Sequence, residues 1–148
     1  VYMDDYAHHP SELKASIASI RSLFPGKKIT GIFQPHLFSR TRDFATEFAE
    51  ALSGLDELLL LDIYPARELP IPGVSSEIIL KNVQLVDKNI YSKEEIISEL
   101  RTRELEVLVT FGAGDIDRLV PIIRDELRKQ HQASAKEEKE EKQKTAAE

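Results

Sequence analysis

The chain has 148 residues, of which 41% are hydrophobic, 31% charged and 7% aromatic; this suits one globular domain and is short for two. It contains no cysteine, which excludes disulfides, thiol nucleophiles and cysteine metal sites and fits a reducing compartment, with the cytosol as the expected location. With 20 Lys and Arg against 26 Asp and Glu the formal charge is -6, which argues against a surface that wraps nucleic acid, and no apolar run approaches the roughly 20 residues of a membrane span.

In chain order, Pro10 stands at a first-turn position, and Leu13, Ile17, Ile20 and Phe24 recur at helical spacing until Pro25-Gly26 stops the run. Ile29 to Phe33 reads as a short buried strand. Phe44, Ala45, Phe48, Ala49 and Leu52 stripe a second helix that Ser53-Gly54 ends, and Leu58 to Leu61 reads as a strand apolar on both faces. A proline-rich loop from Tyr64 to Gly73 leads to a short helix near Ser76 to Lys81, then to a weak strand around Val83 to Val86. Ser92 and Glu95 form a capping box before Ile96, Ile97 and Leu100. Val107 to Phe111 is the next strand, and Gly112-Ala113-Gly114 turns into a last helix carrying Ile116, Leu119, Val120, Ile123 and Leu127. Residues 132–148 hold four lysines and five glutamates with no Ile, Leu, Val or aromatic residue, so a charged, solvated tail, disordered or a frayed helix, is expected beyond a domain of residues 1–131. No internal repeat is visible.

This alternation of strands and helices predicts the α/β class: a doubly wound, mostly parallel, Rossmann-like sheet with helices on both faces. In such folds ligands bind beyond the carboxyl ends of the strands. The unusual polar segments fall there: Asp4 to Pro10, Gln34 to Asp43, Tyr64 to Gly73 and Gly112 to Asp115.

Asp4 and Asp5 are adjacent on a strand end, so their side chains are expected to point to opposite faces; one faces the site, as a ribose acceptor or as a helix cap. His8 and His9 titrate near neutrality, yet His-His before Pro fits metal spacing poorly; His36 is the available third ligand, and no metal site is expected. One of the pair capping the helix at Pro10 is the plainer reading. Arg40 and Arg42 straddle the start of a helix whose N-terminus already favours anions, and guanidinium forks grip carboxylates and phosphates bidentately. Arg42 is equally placed to pair with a neighbouring surface acid. Gly112-Ala113-Gly114 lets backbone approach a ligand closely, although tight packing explains it as well. The G-x-x-x-x-G-K-[ST] pattern is absent, so any ATP chemistry needs another segment.

Four motifs in order, Asp4-Asp5-Tyr6-Ala7-His8-His9-Pro10, Phe33-Gln34-Pro35-His36 with Ser39-Arg40-Thr41-Arg42-Asp43, Tyr64-Pro65-Ala66-Arg67-Glu68 with Pro70-Ile71-Pro72-Gly73, and Phe111-Gly112-Ala113-Gly114-Asp115-Ile116, resemble the C-terminal domain of the Mur ligase family, and within it the UDP-N-acetylmuramate:L-alanine ligases. The resemblance covers about residues 1 to 130, and the start at Val1 is read as that of a piece cut from a longer polypeptide.

The resemblance implies an ATP-dependent amide-forming ligase of peptidoglycan precursor synthesis, in which the lactyl carboxylate of UDP-N-acetylmuramate becomes an acyl phosphate and the amine of L-alanine displaces phosphate. It implies ATP and Mg2+, with the Mg2+ ligands and the P-loop in N-terminal and central domains of the same polypeptide, so the piece alone is expected to be inactive. By motif position it places Asp5 on the ATP ribose with Tyr6 nearby, His8 and Arg40 at the amino-acid site with Arg40 on the alanine carboxylate, and Arg42 as a second guanidinium. Many relatives have an arginine where this chain has Leu37, whose side chain carries no charge. The other readings are the related recycling ligase that attaches a whole peptide to the same sugar nucleotide, and a freestanding nucleotide-binding or interaction module.

Overall fold

The computed structural model describes residues 1–147, and in it five parallel strands form one sheet. The elements are β1 (Tyr2–Asp5), α1 (Pro10–Leu23), β2 (Ile29–Phe33), α2 (Phe38–Leu52), β3 (Glu57–Leu60), α3 (Glu77–Leu80), β4 (Asp87–Ile90), α4 (Lys93–Arg101), β5 (Val107–Phe111) and α5 (Val120–Ala146). Across the sheet the order is β1-β5-β2-β3-β4. The chain therefore steps one way through β2, β3 and β4, then returns from the far edge to insert β5 between β1 and β2. Crossovers of a single hand put the outgoing helices on one face and the returning helix on the other.

The two cores show that arrangement. On one face, Leu13, Ile17 and Ile20 of α1, Phe48, Ala49 and Leu52 of α2 and Ile79 of α3 pack on Ile29, Phe33, Leu58, Leu60, Val107, Val109 and Phe111. On the other, Ile96 and Leu100 of α4 and Ile123 of α5 pack on Ile32, Leu59 and Leu108. The strand residues alternate between the two lists with period two, and β2 and β5 are buried at every position. Phe33 and Phe48 meet with ring centroids 5.5 Å apart.

Four elements differ from the sequence reading. The fourth strand is not Val83 to Val86: Val83 is buried in the preceding loop, Val86 is fully exposed, and β4 forms at Asp87–Ile90, paired with β3. As an edge strand it buries only one side, so the polar run Asp-Lys-Asn-Ile suffices once the free edge of β3 supplies its hydrogen bonds. α2 starts at Phe38, and Phe44 lies outside the core, half exposed at a kink with non-helical dihedrals (φ -122°, ψ 20°).

The last helix is divided. A 3-10 turn at Asp115–Arg118 precedes α5, because Pro121 has no N–H to donate and its ring would clash with the carbonyl four residues earlier in a continuous α-helix. The segment from Gln132 is helical through Ala146 rather than disordered, although almost all of it is exposed. Its Lys, Glu, Gln and Ala residues are strong helix formers without a Gly or Pro to stop them, and Glu138/Lys142 and Glu140/Lys144 have the favourable i,i+4 order. Glu148, the end of the expected tail, lies outside the described residues. No helix of the described residues is long and apolar enough to cross a membrane.

Candidate functional site

All four polar segments meet beyond the carboxyl ends of β1, β2, β3 and β5. Gln34, buried where β2 ends, donates from Nε2 to Asp115 Oδ1 at 2.6 Å and accepts on Oε1 from the Ile116 N–H at 3.0 Å, so the β2 and β5 loops are locked together. A Cβ on Gly114 would sit 2.6 Å from Gln34 Oε1 and 2.7 Å from Tyr64 Cγ, and Gly112 has φ 144°. The glycine pair thus serves close packing of this interlock. Burial alone would raise the Asp115 pKa, but the bonds from Lys93 and Gln34 outweigh it and hold the carboxyl below its ordinary range. Beside the interlock a cleft of about 380 Å3 is lined by Gln34, Tyr64, Lys93 and Asp115.

The two aspartates diverge as expected of successive strand residues. Asp4 accepts from Thr110 Oγ1 at 2.7 Å, and Thr110 accepts from the Tyr2 hydroxyl at 3.0 Å. Asp5 turns toward α1, where Oδ1 accepts from the Ala7 N–H at 2.8 Å and Oδ2 from the Ser16 hydroxyl. Each Asp5 oxygen therefore keeps lone-pair capacity for another donor. Tyr6, next along, is 65% exposed.

His9 is the N-cap residue of α1, and the capping bond runs from its N–H to Glu12 Oε1 at 3.1 Å. His8 donates from Nδ1 to the Tyr6 carbonyl at 3.0 Å, with its ring 5.3 Å from Tyr6, 4.8 Å from His9 and 6.2 Å from His36. Ligand atoms of His8, His9 and Glu12 lie within 4.8 Å of one another, a closer grouping than the sequence spacing suggested. Two of those groups are already committed, Glu12 to the His9 N–H and His8 to Tyr6.

His36 stacks on Tyr64 at 5.6 Å and 21°, and its Nδ1 accepts from Arg40 Nη1 at 3.3 Å. Burial, then Arg40 and His8, push the His36 pKa below its ordinary value, which favours the neutral ring this acceptor role requires. Arg40 itself makes no ion pair among the described residues. It stands in the first turn of α2, where the helix dipole disfavours a cation. Arg42, in contrast, is exposed and bonded to Asp43 at 2.9 Å, the surface pairing that was the alternative to a binding role.

The start of α2 is unusual in two ways. Its N-cap, Leu37, has φ 72° and no capping side chain. The acceptor comes instead from the β3 loop: Glu68 Oε1 takes the Ser39 N–H at 3.1 Å and Oε2 takes the Ser39 hydroxyl. These bonds, the hydroxyl first, hold the Glu68 carboxyl below its ordinary range. Residue patterns left Glu68, Gln34 and Tyr64 without roles, because their partners lie about 30 to 80 residues away in the chain. The one local signal was negative: no Ser, Thr, Asp or Asn stands at the position before Phe38.

The family described as "Mur ligase, glutamate ligase domain" matches residues 1–114. Relatives named UDP-N-acetylmuramate--L-alanine ligase match at 57% identity over 130 residues in Parabacteroides distasonis and at 54% over 124 residues in Cytophaga hutchinsonii, covering 88% and 84% of this chain. The chain spans 28% and 27% of those relatives' lengths. Among solved structures, the UDP-N-acetylmuramate-alanine ligase of Thermotoga maritima is similar at 25% identity and TM-score 0.57, over 87% of this chain and 26% of that one. A murein peptide ligase from Psychrobacter arcticus shares the fold at TM-score 0.64 with 14% identity, over 82% and 26% of the two chains. With the four-loop rim carrying the motifs that first suggested it, the chain belongs to the Mur ligase family, as its C-terminal domain.

Proposed function

We propose that this domain is the closing face of an ATP-dependent ligase that joins L-alanine to UDP-N-acetylmuramate in peptidoglycan precursor synthesis. The observation that carries the reading is Arg40, a half-buried guanidinium without an acid partner among the described residues, held at the rim by the His36 imidazole. A free amino acid presents one planar carboxylate, which a guanidinium fork matches. Gripping it there aims the amine outward, toward an acyl phosphate formed on the remainder of the enzyme; the nitrogen bonds to the acyl carbon, phosphate leaves and the amine sheds a proton.

His8 stands at the same rim, its ring 6.2 Å from that of His36, and is assigned to the amino-acid site with Arg40. Arg42, already paired with Asp43, has the lesser share. Asp5, with Tyr6 beside it, takes the ATP ribose hydroxyls on the lone pairs that Ala7 and Ser16 leave free. The only grouping of possible metal ligands among the described residues is His8, His9 and Glu12. Two imidazoles and one carboxylate do not suit Mg2+, which prefers oxygen donors. Mg2+ and the P-loop are therefore assigned to the other domains of the polypeptide, and docking of this rim over them completes the site only when substrates are bound.

Steady-state kinetics of the full-length enzyme test the reading. Arg40→Ala should raise the KM for L-alanine at least about ten-fold and leave that for ATP nearly unchanged, while Asp5→Ala should do the reverse. Equal effects on both substrates from either variant would overturn its assignment.

A further inference from the structure

Arg40 is steered by few contacts. Among the described residues its one hydrogen bond to a side chain is the 3.3 Å contact with His36, so where its guanidinium lies depends on the first turn of α2, one residue from Ser39. That turn is not secured by its own sequence. Leu37 is held at φ 72°, a conformation L residues rarely adopt, and has no side-chain oxygen to offer the helix amides. What secures it is the loop after β3. The Leu37 N–H donates to the Tyr64 carbonyl at 2.9 Å, the Tyr64 N–H donates to the Pro35 carbonyl at 2.8 Å, and Glu68 closes on both donors of Ser39.

From this arrangement we infer that Glu68 is a positioning residue for the amino-acid site, an inference that rests on the role given to Arg40 above. Its carboxylate supplies the missing cap of α2 from another part of the chain and fixes the first turn in the one orientation that presents Arg40 at the rim. It also occupies the Ser39 amide, which would otherwise attract a carboxylate beside Arg40, so an incoming amino acid meets a single anion-binding group rather than two. Glu68 does not touch the substrate; it acts through Ser39.

The test is kinetics on the full-length enzyme with Glu68→Gln, Ser39→Ala, the double variant, and Arg40→Ala as reference. Glu68→Gln and Ser39→Ala should each raise the alanine KM about five-fold or more, with kcat and the ATP KM within about two-fold of wild type. The double variant should be no worse than Glu68→Gln, because both remove one coupling. A cap serving stability alone would lower the melting temperature without separating the two KM values. If Arg40→Ala raises the alanine KM and neither Glu68→Gln nor Ser39→Ala does, the positioning role is overturned and the site stands. If Arg40→Ala leaves it unchanged, the site itself falls, and the role of Glu68 with it. Should Glu68→Gln fail to fold, Ser39→Ala, which keeps the backbone bond, decides the question by the same KM criterion.

Discussion

At the amino ends of the strands cations meet acids, while at the carboxyl ends Lys93 meets Asp115 but Arg40 meets, among the described residues, only a histidine. Arg21 pairs with Asp56 at 2.9 Å and Lys28 with Glu57 at 3.3 Å; Arg103 reaches Glu57, Asp87 and Glu99 at 3.2, 2.9 and 2.9 Å. Burial would lower the Arg103 pKa, yet its bonds to Asp87, Tyr91 and Glu99 raise it. Across the sheet, Arg40 sits at a helix end that disfavours it, beside His36, whose ring stands 6.2 Å from that of His8. A charge satisfied within the fold contributes to holding the fold. One left unsatisfied in an unfavourable place is available to a group from outside the chain, and the comparison therefore sets the acid-paired end of this domain apart from the end proposed above to bind the amino acid.

The sharpest way to break that contrast is Arg103→Ala. It leaves Glu99 without its cation and Glu57 with Lys28 alone, both carboxylates being mostly covered, and should cost about 2–3 kcal/mol in denaturant unfolding. A loss under about 0.5 kcal/mol would mean the basal network is screened by water and carries no structural weight.

Acidification should set the step of one rim group, His36, apart from that of the carboxylates, which lie at both ends. The His36 pKa is depressed below its ordinary 6.5, so between that value and the lowered one the unfolded chain binds more protons, and the rim loses stability as pH falls through this window. For Asp56, burial alone would raise the pKa, but the Ile29 N–H and Arg21 lower it below 3.8; its contribution is present above 3.8 and is lost as pH falls through the folded value. Two separate steps in a pH titration of stability are expected, the upper one absent in His36→Gln. A single acidic step in both proteins would remove His36 from the account.

A smaller effect, of opposite sign to that of Arg103→Ala, is expected for Arg40→Ala. Taking a cation out of the first turn of α2 should leave stability unchanged or raise it by up to about 0.5 kcal/mol. A destabilisation above about 1 kcal/mol would show that Arg40 is structural after all and sink the comparison. The smallest effect belongs to removal of residues 132–148, whose helical part packs on almost nothing: the melting temperature should move by no more than about 1 °C while helical circular dichroism falls. A marked drop would mean that this extension docks on the domain.

The elements read correctly from sequence were those whose signal is local. The repeat of Leu13, Ile17 and Ile20 placed α1, the short, mostly apolar runs Ile29 to Phe33 and Val107 to Phe111 placed β2 and β5, and the Ser92/Glu95 box placed the start of α4. β4 was misplaced because an edge strand is chosen by the free hydrogen-bonding edge of its neighbour rather than by its own hydropathy. The helical course of Gln132–Ala146 ranked behind disorder because burial was the criterion, and this segment has helix propensity without burial.

By itself, then, the sequence determined the fold class, the two-faced burial of the central strands and the gathering of four polar loops at one rim, since periodicity and β-α alternation restrict an α/β chain to few topologies. The tertiary structure alone decided that Arg42 is paired and Arg40 is not, that the glycines of the last loop make room for Gln34 and Tyr64, and that Glu68 caps a helix beginning some thirty residues before it. Those are contacts between segments distant along the chain, and side-chain spacing carries no record of which distant partner the folded backbone brings within hydrogen-bonding reach.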